Sequence, residues 1–550
     1  MSIVRGPYRW YAWVILATVL VTAVPYVFGV IVTPGDAVFA GSHVLTPGDF
    51  SVYFSYLEQI RQGTGLVRDL YSTELTAWPF FSPVWAVSGM IGAVLHLAPA
   101  YTLHLVRLLL IAPLLTIIAV LIHDVIQSPR ARRWAFLLAV FGSGAGFFAA
   151  PFIGALTMPR AGYYHWPMDL WVPEATTFLT IYHNPLFIVA LIGLITAFTF
   201  LLRALRTRER SATLFAGAGA FVAILVHPFH AFTLALTIAL FWGFRAVVRH
   251  PLQRQEYRIV ALVGLIAFPA VLFHAAVLAF DPGAAGRAAQ NVNLTTVWWL
   301  TAVSYGLLGL GAVVGSVMTL ARHRGSPARI LLMSWFLAHA VLTSLPQIIY
   351  QRRLTEGWHI PMALLTVIGL RAFWGSVRAH LPRRLKSIGE NATTLTLGFI
   401  LCFTLSNVYV VALDLERYTR ATPEQVPFFH YTTRSFIDAY AWVRSQTPTD
   451  AIFLAGTQSG LVLPGGTGRS VYVGHGVETL DFGRKAAEVD FLFDGTATET
   501  DWRRFIRRER IAYVWWGPWE NARYAFDPAT ASFLREVYAD RDIHLYATAE

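Results

Sequence analysis

The long uncharged apolar runs in this chain constrain its fold more than any motif does. From Trp10 to Val32 no charged side chain interrupts the sequence, and a helix needs about 20 such residues to cross a bilayer core. Comparable runs recur up to about residue 412. Inside lipid every backbone N–H and C=O must be satisfied by the protein itself, so runs of this length read as spanning helices. The composition agrees: of 550 residues, 55% are hydrophobic and 14% charged. Trp10–Val32 is too long for a signal-peptide core and reads as a retained first span. The net charge of +11 does not point to nucleic acid, because the arginines gather in short loops between spans, where the positive-inside rule puts them. Cys402 is the one cysteine, so no intrachain disulfide can form.

Charge then orients the spans. Arg5 and Arg9 precede the first one, which places the N-terminus in the cytoplasm. Later clusters stand at Arg130/Arg132/Arg133, Arg203/Arg206/Arg208/Arg210, Arg245/Arg249/Arg254/Arg258, Arg322/Arg324/Arg329 and Arg378/Arg383/Arg384/Lys386. Two apolar spans separate each successive pair of clusters: 134–154 with 184–203, 212–230 with 231–247, 259–279 with 297–319, and 329–349 with 358–377. A last span, 393–412, carries the chain out again. Phe80–Leu97 and His104–Val125 both precede the Arg130 cluster, and parity holds if the first is re-entrant or peripheral. The expected fold is an all-α polytopic membrane bundle of about eleven full transmembrane helices plus that re-entrant or peripheral helix. The membrane part covers 1–412, with outer loops 33–79, 155–183 and 345–358. Residues 413–550 are polar and alternate strand-like runs (AIFLAG, RSVYVG, IAYVWWG, IHLYAT) with helical ones (SFIDAYAWVRSQ, TDWRRFIRRER), as in a small extracytoplasmic α/β domain.

The residues able to do chemistry concentrate on the outer side. In "TPGDFSVYFSYLEQIRQG", Phe50, Tyr53, Phe54, Leu57 and Ile60 fall on one helical face, with Ser51, Ser55, Glu58, Gln59 and Arg61 opposite. That pattern predicts a helix lying in the membrane interface. Asp49 heads it, either as an N-cap, as a general base for a hydroxyl, or as both. Asp36, in an earlier copy of TPGD, reads as a turn residue and stays open as an alternative base. Glu74 is a second carboxylate of the same loop, suited to a metal or to orienting an acceptor. In the second outer loop Asp169 and Glu174 are candidates for substrate or a divalent cation, beside His165 and His183.

Arg352 and Arg353 lie in the third outer loop, where the charge rule disfavours them, and Arg107 sits early in a span. Arginine grips phosphate through bidentate hydrogen bonds, and an intramembrane arginine needs an acidic partner or an anion. Together the three suggest a lipid phosphate at the outer leaflet, with internal salt bridges or snorkelling as the plain alternative. His227 and His230 in "HPFH" are two ligands, too few for a metal site. His475, Glu478 and Glu520 stand in Gly-rich turns of the tail and are weak signals.

An acidic residue after the first span, a juxtamembrane helix, many spans and an extracytoplasmic tail resemble the GT-C superfamily of integral-membrane glycosyltransferases. The local likeness rests on "GDFSVYFSYLEQIRQG", with weaker echoes in the second outer loop and in "YQRRLTEGWHIP". The resemblance implies transfer of a sugar from a polyprenyl-phosphate carrier to an extracytoplasmic hydroxyl, inverting at the anomeric carbon, with the loop carboxylate as base, here Asp49. The family fixes neither sugar nor acceptor, so a glycan, lipid or protein acceptor stays open, with membrane lipids as surroundings and a bacterial cell membrane as the expected location. Some members bind metal through acidic residues of the second outer loop. This chain has no clean DxD there, so no cofactor is firmly expected, with a divalent cation at Asp169 and Glu174 the open possibility. The competing readings are a polytopic transporter or lipid flippase with an accessory outer domain, and a non-catalytic envelope-assembly protein.

Overall fold

Prolines open many of the helices. Pro47, Pro83, Pro99, Pro129, Pro185, Pro282 and Pro327 each stand at the first position of one, where a missing N–H costs nothing and the fixed φ suits the helix. The structure, a computed structural model, describes residues 8–74, 82–153, 164–248, 253–321, 326–380, 382, 386–421 and 430–549. The sequence features at Arg5, Arg249, Arg322, Arg324, Arg383 and Arg384, and parts of the first and second outer loops, lie outside the described residues.

Among the described residues, nine helices are long and apolar enough to cross a membrane. The protein is a mostly helical integral membrane protein with a small C-terminal sheet region. The expected spans at 212–230 and 329–349 form the helices Arg210–Val226 and Pro327–Ser344. The first has 17 residues, and the second buries Ser334, His339 and Thr343, which lowers its hydropathy. Pro83–Val94, within the expected re-entrant stretch, is a helix of 12 residues. At 1.5 Å per residue it is roughly 18 Å long, too short to cross.

The chain divides into two units. The first comprises Met1–Ala23, Arg107–Ala275 and Val292–Leu413. Its core is a continuous apolar cluster that includes Ile118, Leu138, Leu191, Leu194, Trp335 and Leu364. Helix pairs approach through small residues, as is common where lipid supplies no hydrophobic drive between helices. A Cβ on Gly315 would lie 2.2 Å from the carbonyl oxygen of Leu365, and one on Gly369 would lie 2.5 Å from Gly315 Cα. The helices Trp298–Ala321 and His359–His380 therefore touch backbone to backbone. Trp298–Ala321 is kinked at Gly306, whose φ of 44° is cheap only without a Cβ.

The second unit comprises Val24–Val106, Ala276–Asn291 and Asp414–Glu550. Strand β1 (Ala37–Phe39) pairs antiparallel with β2 (Tyr431–Thr433), so the first loop and the tail share a sheet. The strands β3 (Ile452–Leu454), β4 (Ser470–Val471), β5 (Tyr513–Trp516), β6 (Leu534–Asp540) and β7 (Ile543–Thr548) form a second sheet of order β4-β3-β5-β7-β6. It is parallel at β4-β3-β5 and antiparallel at β5-β7-β6. All four strand-like runs expected in the tail are strands, and Arg434–Gln446 and Glu499–Glu509 are the expected helices. Thr498 and Asp501 close a capping box at the start of the latter, which satisfies two orphan N–H groups.

The first-loop helix, Pro47–Arg61, differs from the expected interface helix. Its polar face is buried too: Ser51, Ser55, Glu58 and Gln59 are all enclosed. That helix packs against the tail helix Thr457–Thr467. A Cβ on Gly465 of that helix would lie 3.0 Å from the Ser51 carbonyl oxygen. The polar residues face protein where water was expected. Glu58 takes Arg61 and Gln62 as donors, while Gln62 accepts from Arg469.

Candidate functional site

The second unit assembles a polar cluster around Asp49. Thr46 is the N-cap of Pro47–Arg61, in a left-handed conformation with φ 44°, and makes no side-chain cap bond. Asp49 stands in the first turn, and its N–H donates to the Thr46 carbonyl at 3.0 Å. Asp49 is therefore not the cap, which corrects that expectation; the charge still complements the helix N-terminus. Its Oδ1 lies 3.3 Å from His475 Nε2. On the other side of that ring, Nδ1 accepts the N–H groups of Val477 and Glu478 at 3.3 and 3.2 Å. A neutral ring accepting at Nδ1 carries its proton on Nε2 and donates it to Asp49.

Behind this pair lie groups of which the sequence marked only Glu478, as a weak signal. The Asp69 carboxylate accepts the Tyr71 N–H at 2.8 Å and faces Arg287 Nη1 at 3.1 Å. Arg287 Nε is 3.9 Å from Glu478. Burial pushes the Asp69 carboxyl up to about 7, with the Glu478 charge adding and Arg287 opposing. Burial likewise raises the phenols of Tyr56 and Tyr71 well above their ordinary value, helped by Asp69 and Glu478. At His475 burial works against the charged ring. The hydrogen bond and charge of Asp49, with Glu478 and Asp69 behind them, outweigh it and raise the ring above its ordinary value. Charging the ring puts a proton on Nδ1 and trades two amide contacts for the attraction of Asp49. The side chains of Asp49 and Glu478 each remain about a quarter exposed, at 26%, so the cluster keeps an open mouth.

The other acids of this unit have different surroundings. Glu74 pairs with Lys485 at 2.8 Å and accepts from Ser72. Burial alone would raise its carboxyl, but Lys485 and Ser72 hold it below the usual range. Asp36 is exposed, and its carbonyl takes the Arg434 N–H at 3.1 Å. Glu520 is buried and accepts from Gly456 N, Ser459 Oγ and Gly517 N at 2.9–3.0 Å, a brace between two strand-end loops.

In the first unit the remaining sequence candidates are held by protein. Arg353 Nη1 is 2.5 Å from Glu174 Oε1, a pair whose acid is fully buried. The Arg352 guanidinium lies 5.2 Å from the centre of the Trp171 ring, a cation–π distance. So Arg352, Arg353, Trp171 and Glu174 meet, from two loops distant in sequence. Arg107 is fully buried and donates to the carbonyls of Thr22 and Ile181, both at 3.0 Å. Asp169 is buried and accepts from Gly146 N at 3.1 Å and Ser406 Oγ at 2.6 Å. Burial pushes its carboxyl up to about 7 against those bonds.

One further cluster joins residues that were weighed as too few. His227 and His230 meet Glu356, and the ligand atoms of all three lie within 4.8 Å of one another. It is the one three-residue group with that spacing among the described residues, and it does not include Asp169 or Glu174.

No family model matches the chain, and no curated protein does. Solved structures do. The archaeal oligosaccharyltransferase AglB from Archaeoglobus fulgidus, in complex with an inhibitory peptide and a dolichol-phosphate, aligns with a TM-score of 0.50 at 12% identity, covering 92% of this chain and 69% of that one. The apo form of the Archaeoglobus fulgidus oligosaccharyltransferase gives 0.51 at 13% identity, over 94% and 70%. ArnT from Cupriavidus metallidurans bound to undecaprenyl phosphate gives 0.52 at 13% identity, over 98% of both chains. Identity this low speaks to fold. The chain shares the fold of these oligosaccharyltransferase and ArnT structures.

Proposed function

We propose that this protein transfers a sugar from a polyprenyl-phosphate carrier to a hydroxyl acceptor, with Asp49 as general base. The acceptor oxygen attacks the anomeric carbon, the bond from that carbon to the phosphate oxygen breaks, and the configuration inverts. The acceptor proton passes to Asp49, and the lipid phosphate leaves with the bonding electrons. The observation that carries this reading is the Asp49–His475 contact at the open side of a buried acidic cluster. A carboxylate that is partly exposed and oriented by a ring N–H can take a proton from an incoming hydroxyl. His475 acts as a positioning residue. Arg352 and Arg353 are kept as candidate binders of the carrier phosphate, a role tested separately from that of Asp49. The undecaprenyl phosphate on ArnT and the dolichol-phosphate on AglB support a carrier of this class.

The test is transfer of labelled sugar from a synthetic polyprenyl-phosphate donor panel by the purified full-length chain in nanodiscs. The expected outcome is product with the wild type and at least about a hundredfold less with Asp49→Asn at an unchanged melting temperature. Full activity in Asp49→Asn would remove Asp49 as base. Movement of the intact donor across the bilayer without turnover would replace the transferase reading with a flippase.

A further inference from the structure

The helix Arg210–Val226 ends at His227, and His230 begins the next helix, His230–Val247. Glu356 follows the short turn Gln351–Thr355, 129 residues beyond His227. The three side chains are 8%, 2% and 0% exposed. His227 Nδ1 and His230 Nε2 both converge on one oxygen of Glu356, the latter at 3.1 Å. The second Glu356 oxygen, Oε1, is buried with no hydrogen-bond partner.

We propose that His227, His230 and Glu356 bind a divalent cation of the zinc class. A fully buried carboxylate needs a positive charge against it, and two imidazole nitrogens aimed at the same oxygen mark where that charge sits. Two nitrogens and one carboxylate suit zinc or its close neighbours, while calcium and magnesium prefer all-oxygen sets. A tetrahedral centre with bonds of about 2.0–2.2 Å spaces its ligands roughly 3.3–3.6 Å apart, so the cation would part His227 from the carboxylate it now touches directly and shift His230 only slightly from its 3.1 Å. Three protein ligands leave the fourth position to water. The rings of Phe187 and Phe229 pack on His227 at 4.9 and 5.7 Å between centres and give the site an apolar shell. The cation ties the 227–230 turn to the turn that carries Arg352 and Arg353, so it fixes that loop from beneath. The proposal does not rest on the transferase reading.

The test is metal content of the purified full-length chain, measured by mass spectrometry after zinc incubation and desalting. The expected result is about one zinc per chain, falling at least about tenfold in His230→Gln and Glu356→Gln and unchanged in Asp169→Asn. Cobalt loaded in its place gives visible absorption of a four-coordinate site. Should those variants fail to fold, the wild type is stripped with a chelator. The melting temperature then falls, and zinc restores it where magnesium does not. A folded wild type with less than about a tenth of a metal per chain and a chelator-insensitive melting temperature overturns the proposal. Restoration by magnesium equal to that by zinc overturns the zinc assignment.

Discussion

His475, in a turn of the tail, places its Nε2 3.3 Å from Asp49 Oδ1, at the start of the first-loop helix. A residue 426 positions away thus sets the direction in which the Asp49 carboxylate points. The tail is thereby part of the candidate site. Its turn around His475 is in turn fixed by backbone N–H groups and by the Gly474 N–H donating to Thr479 Oγ1 at 3.1 Å.

Asp49→Asn removes the proton acceptor but keeps the shape and the contact with His475. Transfer should fall by about a hundred- to ten-thousand-fold, while the melting temperature stays near wild type because the side chain is partly exposed. Initial rates and thermal unfolding measured on the same preparation check both halves.

His475→Gln retains an N–H able to reach Asp49, whereas His475→Ala does not. Rates should therefore rank wild type, Gln, Ala. The pH dependence has a definite sign. The folded-state value of His475 is raised, so its stabilising contribution is present in full below the ordinary histidine value of about 6.5. It is lost as pH rises through the raised value. Melting temperatures of wild type and His475→Gln should differ most at acid pH and converge at alkaline pH. A gap that widens with pH would contradict the assigned environment.

Asp69 titrates with the same sign in a lower window. The unfolded chain releases this proton near pH 4, while the folded protein holds it up to about 7. Its contribution is therefore complete below pH of about 4 and lost as pH climbs to about 7. Asp69→Asn should flatten the fall of melting temperature across that interval, because Asn still accepts the Tyr71 N–H and carries no charge to desolvate.

The sequence made some of this legible and hid the rest for physical reasons. Spanning helices were readable because lipid enforces an apolar run on each one. The tail's strands were readable because β-branched and aromatic residues mark them. Asp49 stood out as an acid at the head of a helix just beyond the first span. His475, Arg287 and Glu356 did not, since each acquires meaning only from a partner far along the chain. The contacts of Arg107 with the carbonyls of Thr22 and Ile181 were not readable either, because a carbonyl is a group that every residue carries. The polar face of Pro47–Arg61 misled for a related reason. Polarity at Ser51, Glu58 and Gln59 shows that a polar partner is needed, and does not show whether it is water or the tail helix Thr457–Thr467.

Arg353 and Glu174 allow a stabilising role to be separated from substrate binding. The pair is short and its acid is fully buried, so Arg353→Met or Glu174→Leu alone should destabilise by about 3–5 kcal/mol, because each leaves an uncompensated charge. The double variant removes both charges and should recover much of that loss, which unfolding measurements on the three proteins would reveal as strong coupling. If Arg353 serves only Glu174, donor KM recovers together with stability in the double variant. If it also holds the carrier phosphate, stability returns and KM for the polyprenyl-phosphate donor stays raised. Arg352→Gln completes the comparison: it keeps hydrogen-bonding capacity and loses the charge over Trp171, so a KM effect there with Glu174 and Arg353 intact isolates the phosphate contribution.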